Sequence, residues 1–153
     1  MVATAEQATA SKVFQLKAFP AYASRPGPGP ALDVLWAREQ LIPRIRESLR
    51  QGDVVGRLGG DELVVLLPAI HSLDDAVLIA EQIRSCVAEP IYHDEHTIHP
   101  TVSIGATTAE PGESASTVIA RADVAMYQAK EAGRNVVTRI EATVIDLGRR
   151  LSR

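Results

Sequence analysis

Two short apolar segments that flank a pair of glycines constrain the fold more than any other feature of this sequence. The segments read DVVGRL and LVVLLP, and Gly59 and Gly60 lie between them. Apolar runs of this length on either side of a glycine turn predict a β-hairpin. A hairpin requires antiparallel pairing, so the chain is predicted to contain an antiparallel sheet.

Helical and strand-like segments alternate along the rest of the chain. Apolar spacing predicts three helices, over 33–50, 73–88 and 115–131. In the first helix, Pro43 predicts a kink or a late start. Ser72 is the predicted N-cap of the second helix, and Gly133 is predicted to end the third. Further strands are predicted over 13–19, in two arms of 91–109 joined by a polar turn, and over 135–140. This mixture indicates the α+β class.

The composition fits one globular domain with less regular ends. The chain has 153 residues, of which 46% are hydrophobic, and this is enough to bury a core. Residues 1–32 include the proline- and glycine-rich run 20–31, and we expect them to be poorly structured. The domain itself is predicted over 33–140, and 141–153 form a tail that could hold a short amphipathic helix.

Several classes of protein are disfavoured by charge and composition. The formal net charge of −3 gives no sign of a nucleic-acid-binding surface. No apolar run approaches the roughly 18 residues that span a membrane, and the N-terminus lacks the pattern of a secretory signal. Cys86 is the only cysteine, so no disulfide framework is expected, and a buried cysteine in a cytoplasmic protein is predicted.

The turn between the two apolar segments also carries acidic residues. Gly59 and Gly60 allow backbone to approach a ligand closely. Asp61 and Glu62 follow them, and two carboxylates suit a hard cation such as Mg²⁺, which in turn suits phosphates. A solvated hairpin turn would have the same residue types, so this stretch alone does not decide between the two.

Two cations lie near the end of the helix predicted over 115–131. Lys130 and Arg134 are one helical turn apart, and such a pair can hold a phosphate chain. Cations at a helix C-terminus are also favoured by the helix dipole alone.

Three histidines, His93, His96 and His99, lie in the segment 91–109. We interpret their segment as a solvated turn, and a zinc site is the alternative.

Three motifs together resemble the GGDEF family, the diguanylate cyclases. They are RLGGDELVVLLP, TVSIGAT at 101–107 and ADVAMYQAKEAGRN at 122–135, and their order and separations also match. Leu63 stands where phenylalanine is usual in the signature. The resemblance implies a ferredoxin-like, palm-type antiparallel sheet with flanking helices and with the signature on a hairpin turn.

The resemblance also implies a reaction and roles for single residues. In this family two domains face each other as a dimer, each holds one GTP, and Mg²⁺-assisted phosphoryl transfer yields cyclic di-GMP. The resemblance implies that Asp61 is catalytic and binds the metal, and that Glu62 has a supporting catalytic role. It implies that Gly59 and Gly60 lie close to the substrate phosphates. Lys130 and Arg134 would bind the terminal phosphates.

A further match concerns the segment before the hairpin. Arg50 and Asp53 form an R-x-x-D pattern ahead of the signature, at the offset of the family's allosteric product site. There the arginine and the aspartate would bind cyclic di-GMP. The alternative is that Arg50 closes a helix and that Gly52 and Asp53 make a turn.

The N-terminal part departs from the family pattern. Family members carry a strand that ends in an acidic Asp-x-Asp-x-Phe-Lys-x-x-Asn-Asp run, and then a Gly-His...Gly-Asp turn. The aspartate of the first strand is the second metal-binding carboxylate, and the asparagine and the later aspartate bind the guanine edge. Here this region has no asparagine and no aspartate before Asp33, and Asp33 lies two positions too far from Gly59 to match the later guanine-binding aspartate. The first-strand region is therefore degenerate, and one remaining carboxylate makes a poor Mg²⁺ site.

These features predict an incomplete GGDEF-type domain of cyclic di-GMP signalling. The favoured interpretation is a module that binds GTP, cyclic di-GMP or a partner signalling domain with little or no catalysis. An active diguanylate cyclase that uses Mg²⁺ is the first alternative, and it would need another metal ligand from the N-terminal part. A remnant without a ligand is the second alternative.

Overall fold

The structure, a computed structural model, describes residues 12–22 and 30–142, with side chains from residue 37 onward. It contains six strands and three helices in these ranges: β1 (Lys12–Tyr22), α1 (Pro30–Glu47), β2 (Val54–Gly59), β3 (Glu62–Leu67), α2 (Leu73–Val87), β4 (Ile91–His93), β5 (His96–Thr108), α3 (Ala115–Glu131) and β6 (Val137–Ile140). The tail helix predicted within 141–153 falls almost wholly outside the described residues.

All six strands form one sheet. The order along the sheet is β2-β3-β1-β5-β4, and β6 also pairs with β5. Every pairing is antiparallel except that of β5 with β6, which is parallel. The predicted α+β class with an antiparallel sheet and flanking helices is confirmed.

The helices cover both faces of this sheet. Leu63 and Val65 of β3 belong to the main core with α1 and α2, whereas Val64 packs with Val118 of α3. Because neighbouring residues of a strand point to opposite faces, α3 lies on the face opposite to α1 and α2. The main core is built from aliphatic side chains, and Leu41, Ile45 and Ile83 are among its most completely buried members.

The helix ends follow the capping residues read from the sequence. Ser72 caps α2 by accepting a hydrogen bond from the backbone N–H of Asp75 at 3.0 Å. The end of α3 has the hydrogen bonds of a Schellman motif, from Gly133 N to Lys130 O at 3.3 Å and from Arg134 N to Ala129 O at 3.0 Å. Gly133 adopts a positive φ of 108°, so the predicted stop at this glycine is confirmed.

The strand predicted over 13–19 is confirmed, and within the described ranges the N-terminal part is more regular than the expectation for 1–32 allowed. Lys12–Tyr22 form β1, which pairs with β3 on one side and with β5 on the other. The physical reason is that β3 and β5 each have a row of backbone N–H and C=O groups that need partners, and the 13–19 segment supplies them. A sequence without the family's acidic run can therefore still provide the strand.

The first helix also begins earlier than predicted. It starts at Pro30 instead of Asp33, and proline suits the first helical position because the N–H it lacks has no partner inside the helix. The helix continues through Pro43, so the late start is wrong. The buried side chains of Leu41 and Ile45 lie on either side of this proline and pack into the main core. No helix of the described ranges is both long and apolar enough to cross a membrane.

Candidate functional site

The signature turn joins β2 to β3 at one end of the sheet. Gly60 has a φ of +51°, a conformation that glycine adopts without the strain imposed by a Cβ atom. The register of the hairpin shifts between Arg57 and Gly59, and the Nε of Arg57 donates a hydrogen bond to the carbonyl oxygen of Gly60 at 3.0 Å. The predicted glycine turn is confirmed, and one of its carbonyl oxygens is held by a side chain of the hairpin itself.

Asp61 is not a free carboxylate. Its Oδ1 forms an ion pair with the Nη2 of Arg38, which is a residue of α1. The side chains are 27% exposed for Arg38 and 39% exposed for Asp61, so the pair is partly shielded from water. The acidic signature is thus tied to the first helix by a guanidinium group.

A cavity of about 190 Å³ lies between α1 and the signature turn. Its apolar lining includes Leu41 and Leu63, and its charged lining includes Arg38, Arg57 and Asp61. Gly60 is exposed at this cavity, so a ligand in it would meet turn backbone as well as both guanidinium groups. Because Glu39 also lines the cavity, two carboxylates stand beside the two guanidinium groups, and an anionic ligand would be bound through the guanidinium groups.

The register of the sheet shows how the other site residues lie relative to the turn. Glu62 of β3 pairs with Lys17 of β1, and Lys17 pairs with Ser103 of β5. The backbone N–H of Asn135, next to Arg134, then donates to the Oγ of Ser103 at 3.2 Å. The end of α3 therefore lies at a similar level along the strands as the signature, about 14 Å away if β3, β1, β5 and β6 are each one strand spacing apart.

Lys130 and Arg134 occupy different positions at the end of α3. Lys130 is half-buried in the last turn of the helix, and Arg134 is exposed just after it with a φ of +64°. Both residues have interactions within the protein. The end of α3, which carries these cations, lies at a similar level along the strands as the signature, but their role with a phosphate stays a prediction.

Arg50 and Asp53 lie at the opposite end of β2 from the signature. The Oδ2 of Asp53 accepts a hydrogen bond from the backbone N–H of Arg50 at 2.8 Å, and Asp53 N donates to Arg50 O at 3.1 Å. This is the turn anticipated as the alternative to a product site. The exposed Arg50 also lines a separate hollow of about 330 Å³, together with His71, Asp75 and Gln82.

The described residues do not fit a Mg²⁺ site. β1 passes beside the signature, but its sequence KVFQLKAFPAY contains no carboxylate, and Lys17 is the residue paired with Glu62. Asp61 is already paired with Arg38. Among the side chains that the structure describes, from residue 37 to residue 142, no cluster of three His, Cys, Asp or Glu could hold a metal ion, and this range includes His93, His96 and His99.

Arg38 is the site residue that sequence reasoning missed. The helical spacing of apolar residues in α1 picked out Leu41 and Ile45, and both are buried. From the sequence, Arg38 is expected to be an ordinary exposed residue of the helix. Only the packing of α1 beside the hairpin brings it to Asp61. No local signal in the sequence could have indicated this contact.

Comparisons with known proteins agree with the fold and the signature. The family model described as "Diguanylate cyclase, GGDEF domain" matches residues 39–136. The chain is 41% identical over 92 residues to the diguanylate cyclase DgcP of Pseudomonas aeruginosa. This match covers 60% of this chain and 14% of DgcP. The curated relatives that it matches are thus much longer than this chain.

Solved structures give the same result. The GGDEF domain of YfiN, also called TpbB, from Pseudomonas aeruginosa superposes with a TM-score of 0.68 at 27% identity, covering 88% of this chain and 84% of the other. A microbial GGDEF domain studied for its interaction with cyclic di-GMP superposes with a TM-score of 0.62 at 27% identity, covering 86% and 79%. On the extent of the family match and on these likenesses, the chain belongs to the GGDEF domain family.

Proposed function

We propose that this chain is a GGDEF-type domain of cyclic di-GMP signalling that binds nucleotide with little or no catalysis. The observation that carries the proposal is the ion pair between Arg38 and Asp61, beside a first strand without any carboxylate. Phosphoryl transfer depends on cations that neutralise the developing charge and on exact positioning of the reacting oxygens. A signature aspartate held by an arginine supplies neither.

The proposed ligands are GTP and cyclic di-GMP. For GTP, the support is the cavity with Arg38 and Arg57, together with the placement of the end of α3 at a similar level along the strands. This end of the helix carries Lys130 and Arg134. Guanidinium groups bind phosphates through paired hydrogen bonds. Because the region before the signature has no asparagine and Asp33 does not match the family's guanine-binding position, binding of GTP is expected to be weak and poorly selective for the base.

For cyclic di-GMP, the support is the position of Arg50 and Asp53. The Arg50 side chain is exposed beside the 330 Å³ hollow, and one carboxylate oxygen of Asp53 holds the turn in place. One similar structure is of a GGDEF domain with cyclic di-GMP. In this proposal the turn orients Asp53, and Arg50 is the group that contacts the ligand.

The proposed setting is the cytoplasm, where the domain would act with a second copy of itself or with another signalling domain. The support for a partner domain is the length of the curated relatives, because the matched region covers only 14% of DgcP. In a longer protein a domain of this kind would be one module among several.

Incubation with GTP and Mg²⁺, followed by chromatography of the nucleotides, tests the absence of catalysis. The expected result is no cyclic di-GMP, because β1 supplies no carboxylate beside the signature and Asp61 is paired with Arg38. Asp61→Ala serves as the matched control. Product that forms with the wild type and disappears in Asp61→Ala would overturn the proposal and establish an active diguanylate cyclase.

Calorimetry with cyclic di-GMP tests the binding function. Arg50→Ala is expected to abolish the heat of binding, since it removes the exposed guanidinium, whereas Lys130→Ala, in the last turn of α3, is expected to leave it unchanged. If the wild type shows no binding at high micromolar nucleotide, or if both variants bind equally well, Arg50 and Asp53 form only a helix end and a turn.

A further inference from the structure

The charge of the signature turn is already balanced within the protein. The lining of the cavity beside the turn contains two guanidinium groups, from Arg38 and Arg57, and two carboxylates, from Glu39 and Asp61. We infer that Arg38 is the permanent counter-ion of Asp61 and excludes a divalent cation from the signature, so that this turn operates without a metal. The inference deepens the proposed function, because it specifies how the same site would receive a nucleotide.

Chemistry makes this counter-ion permanent. The guanidinium group of arginine is not deprotonated in proteins, so Arg38 supplies Asp61 with a lasting positive charge. A Mg²⁺ ion at Asp61 would add two positive charges close to the guanidinium groups of Arg38 and Arg57. Like charges a few ångströms apart repel each other. A divalent cation would therefore have to displace Arg38 before it could bind.

Packing holds Arg38 in place. The residues around it on the inner side of α1, Ala37 and Leu41, are 0% and 2% exposed, so the helix backbone that carries Arg38 is anchored in the core. On the other side, the hydrogen bond from Arg57 to Gly60 fixes the turn next to Asp61. Both partners of the ion pair thus start from positions that other contacts determine, which lowers the entropy lost in forming it.

The consequence for a ligand is direct recognition of its phosphates by arginine. Arg38 has several N–H donors, and only part of this capacity is used by one carboxylate oxygen of Asp61. Arg57 is exposed, also lines the cavity, and uses its Nε for the turn. The remaining donors of both groups suit the phosphates of a nucleotide without a bridging cation.

Titration with Mn²⁺, followed by the relaxation of water protons, tests the inference without any nucleotide. The wild type and Asp61→Asn are expected to take up Mn²⁺ equally weakly. Arg38→Gln is expected to gain Mn²⁺ affinity by at least roughly tenfold, because it removes a unit charge at ion-pair distance. The gain should vanish in the double variant Arg38→Gln with Asp61→Asn. Arg46→Gln, on the exposed side of the same helix, is the matched control and should behave as the wild type.

Two results would overturn the inference. One is Mn²⁺ binding by the wild type that Asp61→Asn abolishes, because Asp61 would then be available to a metal. The other is an Arg38→Gln variant that remains folded by circular dichroism and gains no Mn²⁺ affinity, because Arg38 would then not be what excludes the cation.

A second experiment measures the binding of GTP by the wild type with Mg²⁺ and with EDTA. Its result distinguishes a failure of this inference from a failure of the proposed function. Retention of GTP by the wild type in EDTA supports both. Failure of the wild type to bind GTP with or without Mg²⁺ would contradict nucleotide binding at the signature, while the Mn²⁺ titration would still decide the role of Arg38.

Discussion

At the scale of single residues, Gly105 shows how one position can fix the contact between a strand and a helix. A Cβ atom built on this glycine of β5 would collide with the backbone of α3 at Ala122 O and Met126 N, and would lie 2.9 Å from the carbonyl carbon of Ala125. Helix backbone cannot move aside as the end of a flexible side chain can. The glycine of the TVSIGAT motif therefore has a structural role in packing.

We predict that Gly105→Ala destabilises the domain by about 1–3 kcal/mol, the usual cost of overpacking a core, because α3 must shift away from β5. Urea unfolding of the variant and the wild type measures this difference. Gly56→Ala is the matched control, since no atom lies within 4 Å of a Cβ there and its strand β2 is exposed. Equal stability of the two variants would show that α3 adjusts to the added methyl group.

At the scale of elements, local signals predicted what depends on local sequence. The hairpin of β2 and β3, the helices α2 and α3 with their caps, and the arms β4 and β5 lie close to their predicted positions. The signature residues Gly59 to Glu62 lie on the turn, as the resemblance implied. Turn glycines, cap serines and apolar spacing act within a few residues, and for this reason they can be read from one sequence.

Elements whose position depends on distant partners could not be predicted in the same way. The place of β1 between β3 and β5 is set by strands about 50 and 90 residues later, as the pairs Lys17 with Glu62 and Lys17 with Ser103 show. The parallel pairing of β6 with β5 is equally non-local. The contact of Arg38 with Asp61 belongs to this class too, because it needs α1 and the hairpin to be packed first.

At the scale of the whole molecule, the sheet depends on the strand that the sequence made least evident. β1 is the third of five strands in the order β2-β3-β1-β5-β4, so it joins the signature hairpin to the rest of the sheet. Its 11 residues pair with β5 along their whole length and with β3 over the first part. Without this strand, the hairpin that carries Asp61 would be attached to the domain mainly through α1 and the core side chains of β3.

Hydrogen exchange of backbone amides provides the corresponding test. We predict that residues 13–19 are protected to a similar degree as 63–67 and 101–106, because amides of a central strand exchange only when the sheet opens. The edge strand β2 is the internal control, and its residues 54–58 should exchange faster, since β2 pairs with β3 alone. Exchange of 13–19 at the rate of an unstructured peptide, with 63–67 still protected, would contradict the prediction. The ordered domain would then begin near α1, and the signature hairpin would end the sheet instead of lying beside a central strand.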